Sequence, residues 1–449
     1  MNVQALETDY LVVGAGAMGM AFADEILAQN PRDQVILVDK HARPGGHWND
    51  AYPFVSLHQP AAYYGVNSET LGSGGAALAS GVEVLAYYER VLRKLLGSRR
   101  LRHFPMCEYR EDAGFRSIVE PDQHFEVSVR KKTVDATYMN VQVPSTRAPR
   151  YEVSPAIALV PPNELARVRE PRPGYVIIGA GKTGMDAALF LLDQGVAPDH
   201  ITWIMPNDAW LLDRAQIQPG RMADQGVGSQ LESFAHSNSL KEVFVWLEEH
   251  KRILRLDEQV WPTKYRCATV SLEELEQLRR IENVVRMGRV VRIEPTTLVL
   301  ENGSLPTDSE TLHVDCTADG LAKREIRPVF EGAKITLQSL FMCQQVFSAA
   351  VIGQVESHYD DESMKNEFCQ VVPHPEFSRD YLAAIAVSMA NMERWGRHFG
   401  GWLRRSRLCI AHHESLIKLI VSGLRTRRFV PKATEQMRLI LEQEFPAQE

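Results

Sequence analysis

The chain has 449 residues, 45% hydrophobic and 24% charged, with a formal net charge of −7, which predicts two or three soluble domains. That acidic balance predicts no nucleic-acid partner, and no apolar run reaches membrane-spanning length, so no membrane partner is expected either. The N-terminus has no basic segment leading into an apolar stretch, which points to the cytoplasm, and six scattered cysteines without a close pair speak against disulfide-reductase chemistry and against a metal site.

The first element is a buried strand at Tyr10–Val13, followed by Gly14, Gly16, Ala17, Met18 and Gly19 in a G-x-G-x-x-G spacing. Glycines at such a turn allow the tight bend, the approach of backbone to a pyrophosphate and close helix–strand packing, and the helix N-terminus then faces the phosphates. The following helix runs from Met18 to Gln29, and Val35–Val38 is the second strand. Asp39 ends that strand, twenty residues beyond Gly19, with Lys40 next to it. Its carboxylate would accept both hydroxyls of an adenosine ribose and repel a 2′-phosphate, so this first site suits FAD or NAD.

Residues 43–64 read as loop, 72–75 as a small-residue turn and 82–96 as an amphipathic helix. A meander of short strands is predicted at 115–119, 125–130 and 138–143, and the proline-rich stretch 144–173 reads as a connector. A second unit of the same kind spans 175–205: strand Tyr175–Ile178, then Gly179, Gly181, Lys182, Thr183 and Gly184, then a helix and a strand at 201–205. Residues 221–281 read as mainly helical, strands return at 290–293, 297–300 and 312–316, and the tail from Arg379 is mostly helical.

The segment Gly45, Gly46, His47, Trp48, followed by Tyr52-Pro53, Pro60 and Tyr63-Tyr64, resembles the G-G-x-W region of the class B flavoprotein monooxygenases. That family comprises flavin-containing, Baeyer–Villiger and N-hydroxylating enzymes. The second glycine loop and Thr317-Ala318-Asp319-Gly320, which is similar to the family's A-T-G-like return segment, match more loosely. The chain departs from the family in lacking the F-x-G-x-x-x-H fingerprint between 141 and 173, and it has His58 where Baeyer–Villiger enzymes have an aspartate.

The resemblance implies an α/β fold of two Rossmann-like dinucleotide-binding domains, with a discontinuous FAD domain, a helical insertion and a helical C-terminal region. The expected boundaries are 1–170 for the first part of the FAD domain, 171–305 for an NAD(P)-binding domain carrying the insertion 221–281, and 306–449 for the return to the FAD domain plus C-terminal helices. FAD would contact Gly14, Gly16, Ala17, Met18, Gly19, Asp39, Lys40, Gly46, His47, Trp48, His58, Gln59, Thr317, Ala318 and Asp319. NADPH or NADH would contact Gly179, Gly181, Lys182, Thr183, Gly184, Asn207 and Arg214. Lys182 would reach a phosphate or lie in solvent, Asp208 would favour NADH, and Arg214 is a substitute cation for a 2′-phosphate.

The implied activity is an FAD-dependent, NAD(P)H-linked monooxygenase acting on a small-molecule substrate and O2 through a flavin C4a-(hydro)peroxide. A dehydrogenase or oxidase without oxygen insertion, and a non-catalytic flavin protein, remain the rivals. His58 and Gln59 are the candidates beside the flavin ring, His58 as a hydrogen-bond or proton partner. The arginines between 394 and 428, interleaved with Trp395, Phe399 and Trp402, could mark a nucleic-acid or lipid contact, an anionic substrate or a subunit contact, but in an acidic chain they read first as the solvated faces of amphipathic helices with an aromatic inner side. The adjacent His412 and His413 point about 100° apart on a helix and do not suggest a metal.

Overall fold

Strand Asn2–Val13 is the axis of the first sheet. It pairs in parallel with Val35–Val38 on one side and with Gln123–Asp135 on the other. The computed structural model describes residues 2–72, 78–111, 114–220, 228–318 and 324–445. The apolar run Tyr10–Val13 predicted only the C-terminal third of this strand. Residues 2–8 alternate with polar side chains and gain strand structure by pairing with residues 123–129. Apolar run length therefore marks the part buried on both faces, not the whole strand.

In that sheet the spatial order is Phe330–Glu331, Lys334–Thr336, Gln123–Asp135, Asn2–Val13, Val35–Val38, Leu101–Phe104. A small antiparallel pair, Cys107–Arg110 and Gly114–Ser117, hangs from Gln123–Asp135. The meander differs from the sequence expectation: 123–135 is one strand, and 138–140 lie in a turn beside the cavity described below. Helix Ala17–Gln29 packs against helix Gln345–His358, and Phe22, Phe347, Trp395 and Trp402 meet in one core. The indole N–H of Trp402 donates to Glu25 at 2.7 Å, so the C-terminal region is fastened onto the first Rossmann helix.

The second sheet is parallel throughout, ordered Val284–Val285, Ile201–Ile204, Tyr175–Ile178, Leu312–Asp315, Ala158–Val160. It takes Ala158–Val160 and Leu312–Asp315 from outside the span 171–305: Leu312–Asp315 pairs with Tyr175–Ile178, and Ala158–Val160 pairs with Leu312–Asp315 at the edge. The stretch read as helical contains helices Ser229–His236, Leu240–Glu249 and Leu272–Arg279. Between them, however, strands Ile253–Leu254 and Lys264–Val270 join Ala209–Asp213 in a three-stranded sheet. Tyr265, Cys267 and Val270 are buried there, so a short strand interrupts the helical pattern. Residues 73–75, Asp319, Gly320 and the beginning of the 221–281 stretch, all named in the sequence reading, lie outside the described residues.

Candidate functional site: two glycine loops on one cavity

Both glycine loops are built alike, and each glycine has a separate task. Gly14 and Gly179 have φ of +104° and +127°, a backbone region that disfavours any side chain. A Cβ on Gly19 would press into the Gly14 carbonyl, and one on Gly184 into the Gly179 carbonyl. These outer glycines let each helix sit on its strand. The middle glycines are different. A Cβ on Gly16 would meet only the Gly46 backbone, at an ordinary 3.6 Å, and one on Gly181 would meet nothing within 4 Å. The protein itself does not require glycine at these two positions, but a dinucleotide approaching the helix N-terminus does. Both middle glycines line a single cavity of about 2120 Å³.

The G-G-x-W segment folds back over the first loop. Gly45 N–H donates to the Ala15 carbonyl at 2.9 Å, and Gly46, at φ +57°, lies against Gly16. Trp48 follows in the turn Gly46–Asn49, its indole donating to the Tyr64 hydroxyl at 2.7 Å. Asp39 is buried at the end of its strand, where it accepts from the Ala15 and His41 amides at 2.6 and 2.7 Å. His41 bridges Asp39 and Asp50 at 2.9 and 3.0 Å. Burial raises the pKa of Asp39, but the hydrogen bonds from His41 and Ala15 outweigh it, and the net direction is down. His41 is raised, chiefly by its bond to Asp39. This His41 bridge escaped the sequence reading, and its one signal was its position two residues after the acid.

Gly14, Gly16, Ala17, Met18, Asp39, Lys40, Gly46, His47 and Trp48 all line the cavity, as do His58, Gln59, Thr317 and Ala318. Gly19 is packed behind them. On the second loop Gly179, Gly181, Lys182, Thr183 and Asn207 line it as well, while Gly184 is buried under the helix. Lys182 stands on the cavity wall, partly exposed. It is ion-paired with Asp186 one turn along the helix, and Asp186 also accepts from the Tyr52 hydroxyl at 2.6 Å. Tyr52, from the Tyr-Pro pair, thereby ties the first unit's loop to the second unit's helix. Arg214 is buried, donating to Glu274 at 2.7 Å and to the His58 carbonyl at 3.3 Å. Asp208 holds Arg286 bidentately at 2.8 and 3.0 Å, a pairing that nothing in the sequence indicated.

His58 has its carbonyl held by Arg214 and by the Thr269 hydroxyl. Burial, together with the positive charges of Lys182 and Arg214, pushes its imidazole down to about 3. His47 is pushed down to about 4, first by burial. Both are neutral at ordinary pH. Among the described residues, His58 Nδ1, Gln344 Oε1 and both amide atoms of Gln345 are buried without hydrogen-bond partners. Gln344 also donates to Gln59 at 3.2 Å. Unpaired polar atoms are rare in native interiors, and a cluster in one cavity wall fits a wall shaped around a polar ligand.

Cys267 and Cys343, 76 residues apart, form a disulfide that lines the same cavity, with His374 Nδ1 3.9 Å from Cys343 Sγ. Sequence spacing gives no sign of the bond, because the fold brings strand Lys264–Val270 against the turn that precedes helix Gln345–His358. The arginine reading needs amendment. Arg407 is buried and donates to the Ala62, Tyr64 and Val66 carbonyls, fastening the Tyr63-Tyr64 loop.

Two mycobacterial proteins, "Uncharacterized protein Rv2000" of Mycobacterium tuberculosis and "Uncharacterized protein Mb2023" of Mycobacterium bovis, are each 46% identical over 422 residues. The match covers 90% of this chain and 78% of each relative. The chain belongs to the family of these mycobacterial proteins. A family model described as an NAD(P)-binding Rossmann-like domain matches residues 12–66, from the first strand through the G-G-x-W segment.

Among solved structures, the polycyclic ketone monooxygenase of the thermophilic fungus Thermothelomyces thermophila is similar with a TM-score of 0.54 at 13% identity, covering 96% of this chain and 89% of that one. A closed structure of cyclohexanone monooxygenase is similar with a TM-score of 0.50 at 11% identity, covering 97% and 99%. At these identities the likeness concerns the fold, and the fold is that of the flavoprotein monooxygenases the sequence resembles. No helix among the described residues is long and apolar enough to cross a membrane.

Proposed function

We propose that the protein is an FAD-dependent, NADPH-linked monooxygenase that inserts one oxygen atom into a small organic substrate. The observation that carries this reading is the pair of open middle glycines, Gly16 and Gly181, facing one cavity. Two dinucleotides bound at these loops would have their far ends in a common space. The fold likeness to flavoprotein monooxygenases supports FAD at the first loop and the nicotinamide at the second.

The residues fit such cofactors. Gly16 leaves room for the FAD pyrophosphate at the N-terminus of helix Ala17–Gln29. Asp39, kept ionised, accepts the ribose hydroxyls. Gly46 and Trp48 close over the loop, Thr317 and Ala318 approach from the second sheet, and Gly181 and Thr183 receive the nicotinamide dinucleotide. Asp208, paired with Arg286, does not line the cavity as Asp39 does and so is no ribose acceptor there, which favours NADPH over NADH. Bound FAD supplies the acceptance of an electron pair and the activation of O2. His58, neutral and held by its carbonyl, orients a hydrogen bond without bringing a charge into the site, while Gln59 and Gln344 order the loop beside it.

The test is anaerobic mixing of the purified yellow protein with NADPH or NADH, followed by admission of oxygen in the presence of candidate amines, sulfides and ketones. Flavin bleaching faster with NADPH, and a product heavier by one oxygen atom, support the proposal. A desaturated product assigns the dehydrogenase rival. Flavin that never bleaches with either nucleotide rules out both enzymes.

A further inference from the structure

Helix Leu416–Arg427 has two unlike sides. Leu419, Ser422, Gly423 and Thr426 line the cavity that holds both glycine loops. Leu416, Ile417, Ile420, Val421 and Leu424 face the other way and are between 57% and 76% exposed. At about 100° per residue these five fall within about 140° of the helical wheel, a continuous apolar stripe of the kind that usually turns inward. A soluble surface rarely leaves so many large aliphatic side chains bare on one helix.

The charge around this stripe indicates what covers it. From Ser415 to Thr434 the chain carries Lys418, Arg425, Arg427, Arg428 and Lys432 and no acidic residue, in a protein whose net charge is −7. Arg425 lies 3.8 Å from Glu232, Lys418 pairs with Glu414, and Arg428 stacks over Phe429. Arg427, Arg428 and Lys432 are exposed where the stripe ends. A parallel pairing with a second copy would set these cations against their own like, while an antiparallel pairing would leave them beyond the partner's stripe with no acidic residue of this segment to meet. An aliphatic stripe flanked by arginines and lysines matches an anionic lipid surface, where the aliphatic residues enter the acyl boundary and the cations meet the phosphates.

We propose that helix Leu416–Arg427 docks the protein on anionic membranes, lying in the interface plane with its inner side still forming the cavity wall. The expectation of no membrane partner rested on the overall charge and on the absence of a membrane-spanning run, and neither addresses a short helix with its own local charge that lies in the interface plane. The proposal requires nothing of the cavity's chemistry and holds or fails separately from the monooxygenase reading.

Co-sedimentation of the full-length holoprotein with vesicles tests it. Vesicles of mixed phosphatidylglycerol and phosphatidylcholine should bind the protein, pure phosphatidylcholine much less, and high salt should release it. The double variant Ile417→Glu, Ile420→Glu and the double variant Arg427→Glu, Arg428→Glu should each weaken binding by about tenfold or more. Both alter exposed positions, and unchanged flavin content and melting temperature verify their folding. The proposal is overturned if the wild-type protein ignores the anionic vesicles, or if neither variant changes its binding. It is also overturned if vesicle binding is absent while sedimentation equilibrium shows a dimer that Ile417→Glu, Ile420→Glu dissociates, which assigns the stripe to a second copy.

Discussion

Arg286 decides what Asp208 offers to a ligand, and the pair shows how one side chain reverses another's meaning. Read alone, an aspartate just past the strand Ile201–Ile204 suggests ribose binding. Held bidentately, it is a neutralised, buried group. Arg286→Ala strands that carboxylate and should lower stability by about 3 kcal/mol, the low end for a buried pair, since the arginine is partly exposed. Adding Asp208→Asn should restore much of the loss. Urea denaturation of the three variants checks this, and equal stability of Arg286→Ala and wild type would contradict it.

His58 and His47 give a second residue-scale prediction, on pH. Both have folded pKa values below the ordinary 6.5, at about 3 and about 4. Between those values and 6.5 the unfolded chain binds more protons than the folded one, so stability falls as pH drops through that window and is unaffected above it. The cofactor-free protein should therefore melt lower at about pH 5 than at about pH 7.5, and His58→Gln should flatten that slope. The same neutrality predicts no limb from His58 in a pH profile of flavin reduction above about pH 5. A profile with a limb near pH 6.5 that His58→Gln removes would mean that the imidazole titrates freely.

At the scale of elements, the two βαβ units were legible because each step of the glycine loop leaves a mark in the sequence. A buried run, spaced glycines and a terminal acid are all local. The strand Lys264–Val270 was not legible, since it is short and lies between helices whose periodicity dominates the window. Its partner Ala209–Asp213 is remote in sequence, and pairing of that kind has no local signature. The Cys267–Cys343 bond shares that origin and ties this strand to the segment leading into helix Gln345–His358. Closing a loop of 76 residues restricts the unfolded chain by about 4 kcal/mol on the chain-entropy account. Cys267→Ser, Cys343→Ser should show a loss of up to that size in denaturant unfolding without reductant. With a dithiol reductant present, variant and wild type should converge. Identical midpoints without reductant would mean that the bond contributes nothing to stability.

For the whole molecule, the cavity is the feature that sequence patterns anticipated only in parts. The loops announced themselves separately; that Tyr52 joins them through Asp186, and that Thr317 lies just past strand Leu312–Asp315 with Arg147 donating to its carbonyl at 2.6 Å, emerges from assembly alone. The solvated reading of the C-terminal arginines failed at Arg407 for the same reason, because its three carbonyl partners lie more than three hundred residues earlier.

The most direct test of two dinucleotides on one cavity is the flavin content and anaerobic reduction of Gly16→Val and Gly181→Val. The surrounding protein accommodates a Cβ at either position, and an unchanged melting temperature of the two apo variants verifies that the fold tolerates the rest of the valine. Gly16→Val should be purified folded and colourless, and Gly181→Val should be yellow but slow to bleach with NADPH by at least about a hundredfold. Both variants retaining flavin and bleaching at the wild-type rate would contradict the account.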